Sequence, residues 1–214
     1  MNTTEARLAT GGGTRDGTRE TGRGTSMDKP FVSQMSKVSS LQIVPAKRDA
    51  YILQFEYSNN ENMEYFKQQI DKKVGSMNHK TNVKGGMTDY GLFLEDSTFT
   101  KFLEKFFIPE IHKYQQLFPP GQNIRGKMNF NDAWGNKLEK GNQVVSHGHP
   151  SQWSSILYFC DSAPLETEVG TFETFKGKII TISGWMQHWV SPVDKERYSL
   201  VWNWNCFWEN KEGK

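Results

Sequence analysis

The chain has 214 residues, of which 36% are hydrophobic and 23% charged, and its formal net charge is +2 at pH 7. This is enough apolar material for the core of one globular domain. A charge so close to neutral gives no general case for nucleic-acid binding. No apolar run approaches the roughly 20 residues of a membrane-spanning helix, and the N-terminus has no secretory signal. We therefore expect a soluble, cytoplasmic protein with no membrane partner, and nothing indicates a nucleic-acid partner.

The two cysteines, Cys160 and Cys206, both lie in apolar segments that read as strands. A disulfide between them is possible. Two buried free thiols are the favoured interpretation, because a reducing cytosol keeps cysteines reduced.

The N-terminal segment differs in composition from the rest of the chain. Residues 1–26 consist largely of Gly, Thr and charged side chains, which cannot offset the entropy lost on ordering, so we predict a disordered tail. Residues 27–214 are assigned to a single domain. Within it we predict a helical buttress at about 41–120 and a β core at about 125–208.

The ordered part is predicted to begin with two short strands, at 41–44 and 51–55, joined by a turn around Pro45. A helix follows, capped by Asn59 or Asn60, running to about Val74 and stopped by Gly75. Its apolar residues stand at helical spacing; they are Met63, Phe66 and Ile70. His79 falls in the polar linker after this helix, where a surface loop is the expected setting.

The strongest helix signal begins at Asp96. Pro109 should kink or split this helix, which ends before Pro119. His112 lies on it and is expected to be structural or exposed. The apolar face should pack against a sheet; it comprises Phe99, Phe102, Leu103, Phe106, Phe107, Ile111, Tyr114 and Leu117.

From Lys127 onward the periodicity changes to that of β-strands. The turn at Gly141 and Asn142 and further Gly, Pro or Asp residues separate the strand candidates. These are residues 128–138, 143–146, 153–160, 169–175, 178–183 and 198–208. Short strands at such intervals are typical of a sandwich or barrel. The fold class is therefore mainly β with N-terminal helices (α+β), with seven or eight strands in the core.

Three of the five histidines fall in the C-terminal third of the chain. His147 and His149 flank Gly148, and residues two apart on a strand project to the same side. Neutral imidazole is the commonest protein ligand for transition metals. His188 would join them from a strand distant in sequence. Taken alone, the pair could equally be two surface histidines.

Arg197 opens the last apolar strand, with Ser199 two residues along on the same face. A guanidinium binds a carboxylate through two parallel charge-assisted hydrogen bonds. A carboxylate ligand is one interpretation of this pair. An ordinary salt bridge to Glu196 or Asp194 is the other.

A series of short motifs follows in order through residues 128–207. In chain order they are Trp134-Gly135-Asn136, His147-Gly148-His149-Pro150, Ser154-Ser155-Ile156-Leu157-Tyr158, Gly170-Thr171-Phe172, Trp185-Met186-Gln187-His188-Trp189-Val190 and Glu196-Arg197-Tyr198-Ser199. This stretch of about 80 residues resembles the Fe(II)/2-oxoglutarate-dependent oxygenase superfamily. More narrowly, it is similar to the 2-oxoglutarate oxygenases common in bacteria and phages.

The resemblance implies a double-stranded β-helix, or jelly roll, buttressed by helices. It also implies an iron held by His147, His188 and a ligand at the position of His149. By the same resemblance, Arg197 and Ser199 would bind the distal carboxylate of 2-oxoglutarate. Asn136 and Tyr158 are further candidates to contact this co-substrate. An ordinary strand amide for Asn136 and a core tyrosine for Tyr158 are equally good interpretations.

The activity implied is that of a dioxygenase that uses Fe(II), 2-oxoglutarate and O2, with ascorbate as a stimulant. It would hydroxylate an unknown substrate, either a peptide or protein side chain or a small molecule, and release succinate and CO2. Two alternatives stay open. One is a three-histidine, cupin-like dioxygenase that needs no keto acid, and the other is a non-enzymatic jelly roll with a binding or structural role. Trp153, Trp185 and Trp189 either line the mouth of the site or pack in the core.

One position departs from the superfamily pattern, in which an Asp or Glu follows the first histidine by two residues. Here that residue is His149. Either the metal takes three neutral imidazoles, or an acid from elsewhere, such as Asp132 or Glu168, completes the ligand set. We favour the three-histidine arrangement, because its spacing is right and no nearby acid is equally well placed.

Overall fold

The computed structural model describes residues 40–44, 50–76, 81–114 and 127–207. The predictions for the tail at 1–26, the turn at Pro45, the linker residue His79 and the helix end near Leu117 lie outside the described residues. None of the helices in these ranges is long and apolar enough to cross a membrane.

Seven antiparallel strands form the larger of two sheets. In their order across the sheet they are β1 (Ser40–Val44), β2 (Ala50–Glu56), β10 (Lys178–Ser183), β7 (Trp153–Tyr158), β12 (Arg197–Phe207), β5 (Lys127–Leu138) and β4 (Gly86–Met87). The N-terminal hairpin of β1 and β2 therefore extends this sheet, although its residues fall in the segment predicted as a helical buttress.

The smaller sheet has five antiparallel strands and packs over one face of the larger one. Its order is β3 (Val83–Lys84), β6 (Gln143–His147), β11 (His188–Val190), β8 (Ser162–Thr167) and β9 (Gly170–Thr174). An apolar cluster joins the two sheets, with Val144, Leu165 and Val190 of the smaller sheet against Ile156 and Val201 of the larger. The predicted jelly-roll architecture, mainly β with N-terminal helices, is confirmed.

The helices cover the opposite face of the larger sheet. α1 (Asn60–Lys73) begins at the predicted cap, since the Asn59 side chain accepts a hydrogen bond from the backbone N–H of Asn62 at 3.0 Å. It ends before Gly75, whose φ of 85° suits glycine. Asp96 caps α2 (Ser97–Phe102) in the same way.

The second helical segment changes its winding near the predicted break. α2 continues into a π-helical turn at Leu103–Phe107, and α3 (Ile108–Lys113) follows with Pro109 in its first turn. The helical backbone runs without a break through Phe107 and Ile108, and the N–H of Ile108 bonds to the carbonyl of Leu103, so the wider turn before Pro109 accommodates a residue that has no N–H to donate. His112 is exposed, as expected.

Aromatic side chains fill the interface between these helices and the sheet. Phe99, Phe102 and Phe107 all lie edge-on to the fully buried Trp202 of β12, with ring centroids 5.9, 5.6 and 4.9 Å away. Such edge-to-face pairs add about 0.5–1.5 kcal/mol each beyond the area they bury. The predicted apolar helix face is therefore packing, as expected.

α1 is held closely against strand β5. A Cβ atom at Gly135 would lie 2.1 Å from Cγ1 of Ile70, so the helix reaches this distance only because residue 135 has no side chain. Beside this contact the Asp71 carboxylate accepts hydrogen bonds from Tyr198 Oη at 2.6 Å and Lys137 Nζ at 2.9 Å. These bonds tie α1 to β12 and β5.

Several details differ from the sequence predictions. Both cysteines are free, as favoured, but they are half-buried rather than buried. Three strands lie where none was predicted, and two of them are only two residues long; the three are β3, β4 and β8. The strand expected to carry His188 is present as β11.

Candidate metal and carboxylate site

A cavity of about 300 Å³ lies between the two sheets. On the larger sheet it is lined by alternate residues of β12 and β5, which pair directly across the strands: Ser199 with Asn136, Val201 with Trp134, and Asn203 with Asp132. Arg197, at the start of β12, extends the same row. Strand alternation thus sends every second residue of both strands into the cavity.

The three histidines meet at this cavity. His147 ends β6 and pairs directly with His188 of β11, which places their ring centroids 4.4 Å apart. His149 lies in the loop after β6, 5.0 and 5.1 Å from those two rings. One ring nitrogen from each histidine lies within 4.8 Å of the other two. The structure therefore brings together the three predicted metal ligands.

Backbone carbonyls orient two of these rings. Nδ1 of His147 lies 2.8 Å from the carbonyl oxygen of Val145, and Nδ1 of His188 lies 3.0 Å from that of Met186. A carbonyl can only accept, so Nδ1 carries the proton in both rings. Nε2 is then the unprotonated nitrogen, which is the form that binds a metal.

The third ring has a different environment. Nε2 of His149 is buried and has no hydrogen-bond partner among the described residues. Its Nδ1 lies 3.4 Å from Nδ2 of Asn203, and its ring centroid is 5.8 Å from that of Trp134. A buried polar atom without a partner is costly, so Nε2 is the atom of this ring that a ligand in the cavity would contact.

All three histidines are held in the neutral form. Burial lowers the pKa of each ring, and the neighbouring imidazoles also lower it for His188 and His149; together these effects bring the pKa to about 4 for His188 and to about 3 for His149. The apo site therefore needs no deprotonation near neutral pH before a cation binds.

No acid joins this group in the part of the chain that the structure describes. Glu168 is exposed and accepts a hydrogen bond from the backbone N–H of Gln187 at 3.2 Å. Asp132 lines the cavity, and its Oδ2 accepts a hydrogen bond from Nδ2 of Asn203 at 3.3 Å. Asn203, and not Asp132, is the residue that contacts His149. The geometry thus favours three imidazoles over an imidazole and carboxylate set.

Arg197 is 3% exposed and lies in the same cavity. Its guanidinium carbon is 5.0 Å from the ring centroid of Tyr158. No described carboxylate forms a salt bridge with it; the neighbouring Glu196 pairs with Lys137 at 3.5 Å instead. The salt bridge to Glu196 or Asp194 that the sequence left open is therefore not formed. A buried cation without an anion is strongly unfavourable, which makes this end of the cavity a site for an anion.

Other polar groups around Arg197 also lack partners among the described residues. They are Nε of Arg197 itself and Oδ1 of Asn136, whereas Oη of Tyr158 faces the guanidinium. Burial raises the pKa of Tyr158 to about 12, against the opposing charge of Arg197, so its hydroxyl keeps its proton and can donate. Ser199 is buried beside them. Arginine, tyrosine and serine together offer donors to one carboxylate.

The three tryptophans suggested for the mouth of the site do not line this cavity. Trp153 stacks on Trp204 in the aromatic core, and Trp189 donates from Nε1 to Glu166 at 2.8 Å. Trp185 packs against the cluster between the sheets. Trp134 contributes the aromatic wall instead. The sequence could have predicted this, because Trp134 lies two residues before Asn136 and therefore on the same face of the predicted strand.

Comparison with known proteins shows the fold and not the family. No family model and no curated protein matches the sequence. Among solved structures, the viral collagen prolyl hydroxylase of Paramecium bursaria Chlorella virus-1, determined with 2-oxoglutarate, has a TM-score of 0.54 at 12% identity, covering 72% of this chain and 94% of that one.

Two further solved structures give the same result. A prolyl-4-hydroxylase of Pseudomonas putida has a TM-score of 0.53 at 15% identity over 73% of this chain and 92% of that one. HygX of Streptomyces hygroscopicus, with nickel, 2-oxoglutarate and hygromycin B bound, has a TM-score of 0.52 at 8% identity over 72% and 82%. The chain therefore has the jelly-roll fold of the Fe(II)/2-oxoglutarate oxygenases that the sequence resembles.

Proposed function

We propose that this protein, which shares the fold of the Fe(II)/2-oxoglutarate oxygenases, is itself a dioxygenase that uses both Fe(II) and 2-oxoglutarate. The reaction would consume O2 and 2-oxoglutarate, hydroxylate a second substrate and release succinate and CO2. Ascorbate would act only to keep the iron reduced.

The observation that carries this proposal is the position of Arg197 relative to the histidines. A three-histidine metal site by itself would suit other dioxygenases. Here the cavity that holds the histidines also holds a buried guanidinium without a described carboxylate partner. A metal at one place and a carboxylate receptor at another are what a keto diacid with two carboxylates requires.

Each residue group then has a separate task. His147, His149 and His188 would hold the iron. Arg197 would bind the distal carboxylate of 2-oxoglutarate. The hydroxyls of Ser199 and Tyr158 would donate hydrogen bonds to the same carboxylate. Asn136 lies directly opposite Ser199 across the strands and is placed to contact the co-substrate as well.

The bound iron would supply the oxidation chemistry, and the protein contributes binding, orientation and shelter from water. The aliphatic walls of the cavity perform the last task; they include Val144, Ile156 and Val201. Three neutral imidazoles leave the metal one negative charge poorer than two histidines and a carboxylate. The anionic co-substrate should therefore strengthen metal binding, and by linkage the metal should strengthen binding of the co-substrate equally.

The test is calorimetric binding of 2-oxoglutarate to the full chain loaded with Zn(II), which occupies the site without turnover. The Arg197→Met variant should bind at least about 30-fold more weakly, because removing one partner of a buried charge pair costs about 2 kcal/mol or more. Lys195→Met is the matched control, since it removes an exposed cation two residues away and should leave binding unchanged.

Two results would contradict the proposal. Equal affinity of Arg197→Met and the unaltered chain for 2-oxoglutarate would favour the dioxygenase that needs no keto acid. A chain that retains no metal after reconstitution would favour the non-enzymatic jelly roll. With Fe(II), ascorbate and labelled 2-oxoglutarate, the unaltered chain should also release labelled CO2 slowly in the absence of a second substrate.

A further inference from the structure

Asp132 is the only acidic side chain among the described residues that line the cavity. It lies on β5 opposite Asn203 of β12, six residues along that strand from Arg197. Six residues of extended strand span roughly 20 Å. The cavity is therefore electrically polar, with a cation at one end and an anion at the other.

In the part of the chain that the structure describes, Asp132 has no cationic partner. Among the described residues no lysine, arginine or histidine forms a salt bridge with its carboxylate. Its hydrogen bond from Nδ2 of Asn203 is long, at 3.3 Å. Oδ1 of the same Asn203 is buried without a donor. Two adjacent side chains thus present acceptor atoms to a hydrogen-bond donor that the described protein does not supply.

Two aromatic rings adjoin these acceptors. Tyr90 and Trp134 both line the cavity and meet edge to face, with centroids 5.0 Å apart. Tyr90 is 39% exposed, so this end of the cavity opens to solvent. The charge of Asp132 adds to burial in raising the pKa of Tyr90, which places the carboxylate close to the phenol. Aromatic faces beside a carboxylate favour ammonium and guanidinium groups.

The Asp132 end of the cavity lies next to the third histidine. Asn203 touches both Asp132 and His149, so the carboxylate lies just beyond the third histidine. A co-substrate bound between the histidines and Arg197 would extend away from Asp132. The space beside Asp132 is therefore left for the molecule to be oxidised.

We infer that the Asp132 end of the cavity is a subsite for a cationic group of the oxidised substrate, an ammonium or guanidinium, bound by Asp132 and Asn203 and flanked by Tyr90 and Trp134. This inference rests on the proposed function, because it assigns the substrate class of the same site. A lysine or arginine side chain in a peptide and the free amino acid share this chemistry.

The test measures binding to the full chain saturated with Zn(II) and 2-oxoglutarate. The probes are two matched pairs of blocked amino acids, the N-acetyl methylamides of arginine and citrulline and of lysine and norleucine, followed by free arginine and lysine. In at least one pair the cationic member should bind about tenfold more tightly than its neutral partner. Free amino acids that bind as well as the blocked ones would identify a small-molecule substrate, and weaker binding would identify a peptide.

The variants separate this subsite from the metal site. Asp132→Asn should reduce the cationic preference to about twofold or less while leaving Zn(II) content and 2-oxoglutarate affinity unchanged. Asp194→Asn, which removes an exposed carboxylate outside the cavity, should keep the preference. No preference in the unaltered chain, or one that survives in Asp132→Asn, would overturn the inference.

Metal loss in Asp132→Asn would also overturn it, because Asp132 would then be an iron ligand. A dioxygenase with Asp132 among its iron ligands would still use 2-oxoglutarate, so failure of the proposed function appears separately, as unaltered 2-oxoglutarate binding in Arg197→Met.

Discussion

The two faces of strand β12 have opposite characters. Toward the helices it presents Tyr198, Leu200, Trp202 and Trp204, all buried in the aromatic core. Toward the smaller sheet it presents Arg197, Ser199, Val201 and Asn203, which line the cavity. The first set gains free energy by burial, whereas the second buries a charge and polar atoms at a cost. One strand of alternating residues thus separates stabilisation from ligand binding.

The difference teaches where the stability of the site comes from. A cavity lined by polar groups without partners does not hold its own walls together. Its geometry is maintained from the back of the sheet, by the aromatic helices packed there. Substitutions on the two faces should therefore change stability in opposite directions.

The largest effect is expected from Trp202→Ala on the helix face. Loss of a fully buried indole that contacts three phenylalanine rings should lower the free energy of unfolding by about 3–5 kcal/mol. Urea denaturation of the metal-free protein measures this change. At low temperature the folded fraction should still bind 2-oxoglutarate within about twofold of the unaltered chain. A loss of binding without a loss of stability would break the proposed separation of the two faces.

Arg197→Met should have the opposite sign. Replacing a buried cation without a counter-ion by an apolar chain of similar length should raise the stability of the ligand-free protein by about 1–4 kcal/mol. The same urea titration tests it. Adding 2-oxoglutarate with Zn(II) should then stabilise the unaltered chain more than the variant, because a ligand stabilises in proportion to its affinity for the folded state. Destabilisation by this substitution would identify Arg197 as a structural residue.

The smallest effect expected concerns the metal and the position at which the chain departs from the superfamily pattern. His149→Ala should weaken Zn(II) binding by at least about tenfold, since even residues that only orient a metal ligand have effects of that size. His112→Ala removes an exposed histidine and is the control. Near-normal metal binding by His149→Ala would exclude this ring from the ligand set and return attention to Asp132.

Much of this architecture was predictable because it depends on spacing. The interval of two between Arg197 and Ser199 fixes a shared face of one strand without any knowledge of the fold. The same interval predicted His147 and His149 on one strand, but β6 ends at His147, and His149 reaches the site from the loop that follows. The order of the motifs suggested the jelly roll, and the capping residues of α1 and α2 marked where those helices begin. Each of these signals is local.

What could not be predicted depends on partners distant in sequence. A strand carrying His188 was expected, but its bounds were not: β11 is three residues long and is paired by β6 and β8 on either side. Asp132 and Glu168 looked alike as candidate ligands, and only the pairing of Asp132 with Asn203 placed one of them in the cavity. The choice among the tryptophans was equally open, since aromatic residues occur on both faces of the larger sheet.

Gly135 has a consequence for the shape of the cavity. A sheet is one backbone thick, and Ile70 of α1 already occupies the space where a side chain at 135 would begin. A larger residue there could be accommodated only by lifting the helix or by pushing β5 inward, which would move Asn136 toward the facing sheet. The absence of a side chain at Gly135, on the helix side of the sheet, therefore helps to set the volume of the cavity on the other side, although Gly135 does not line that cavity.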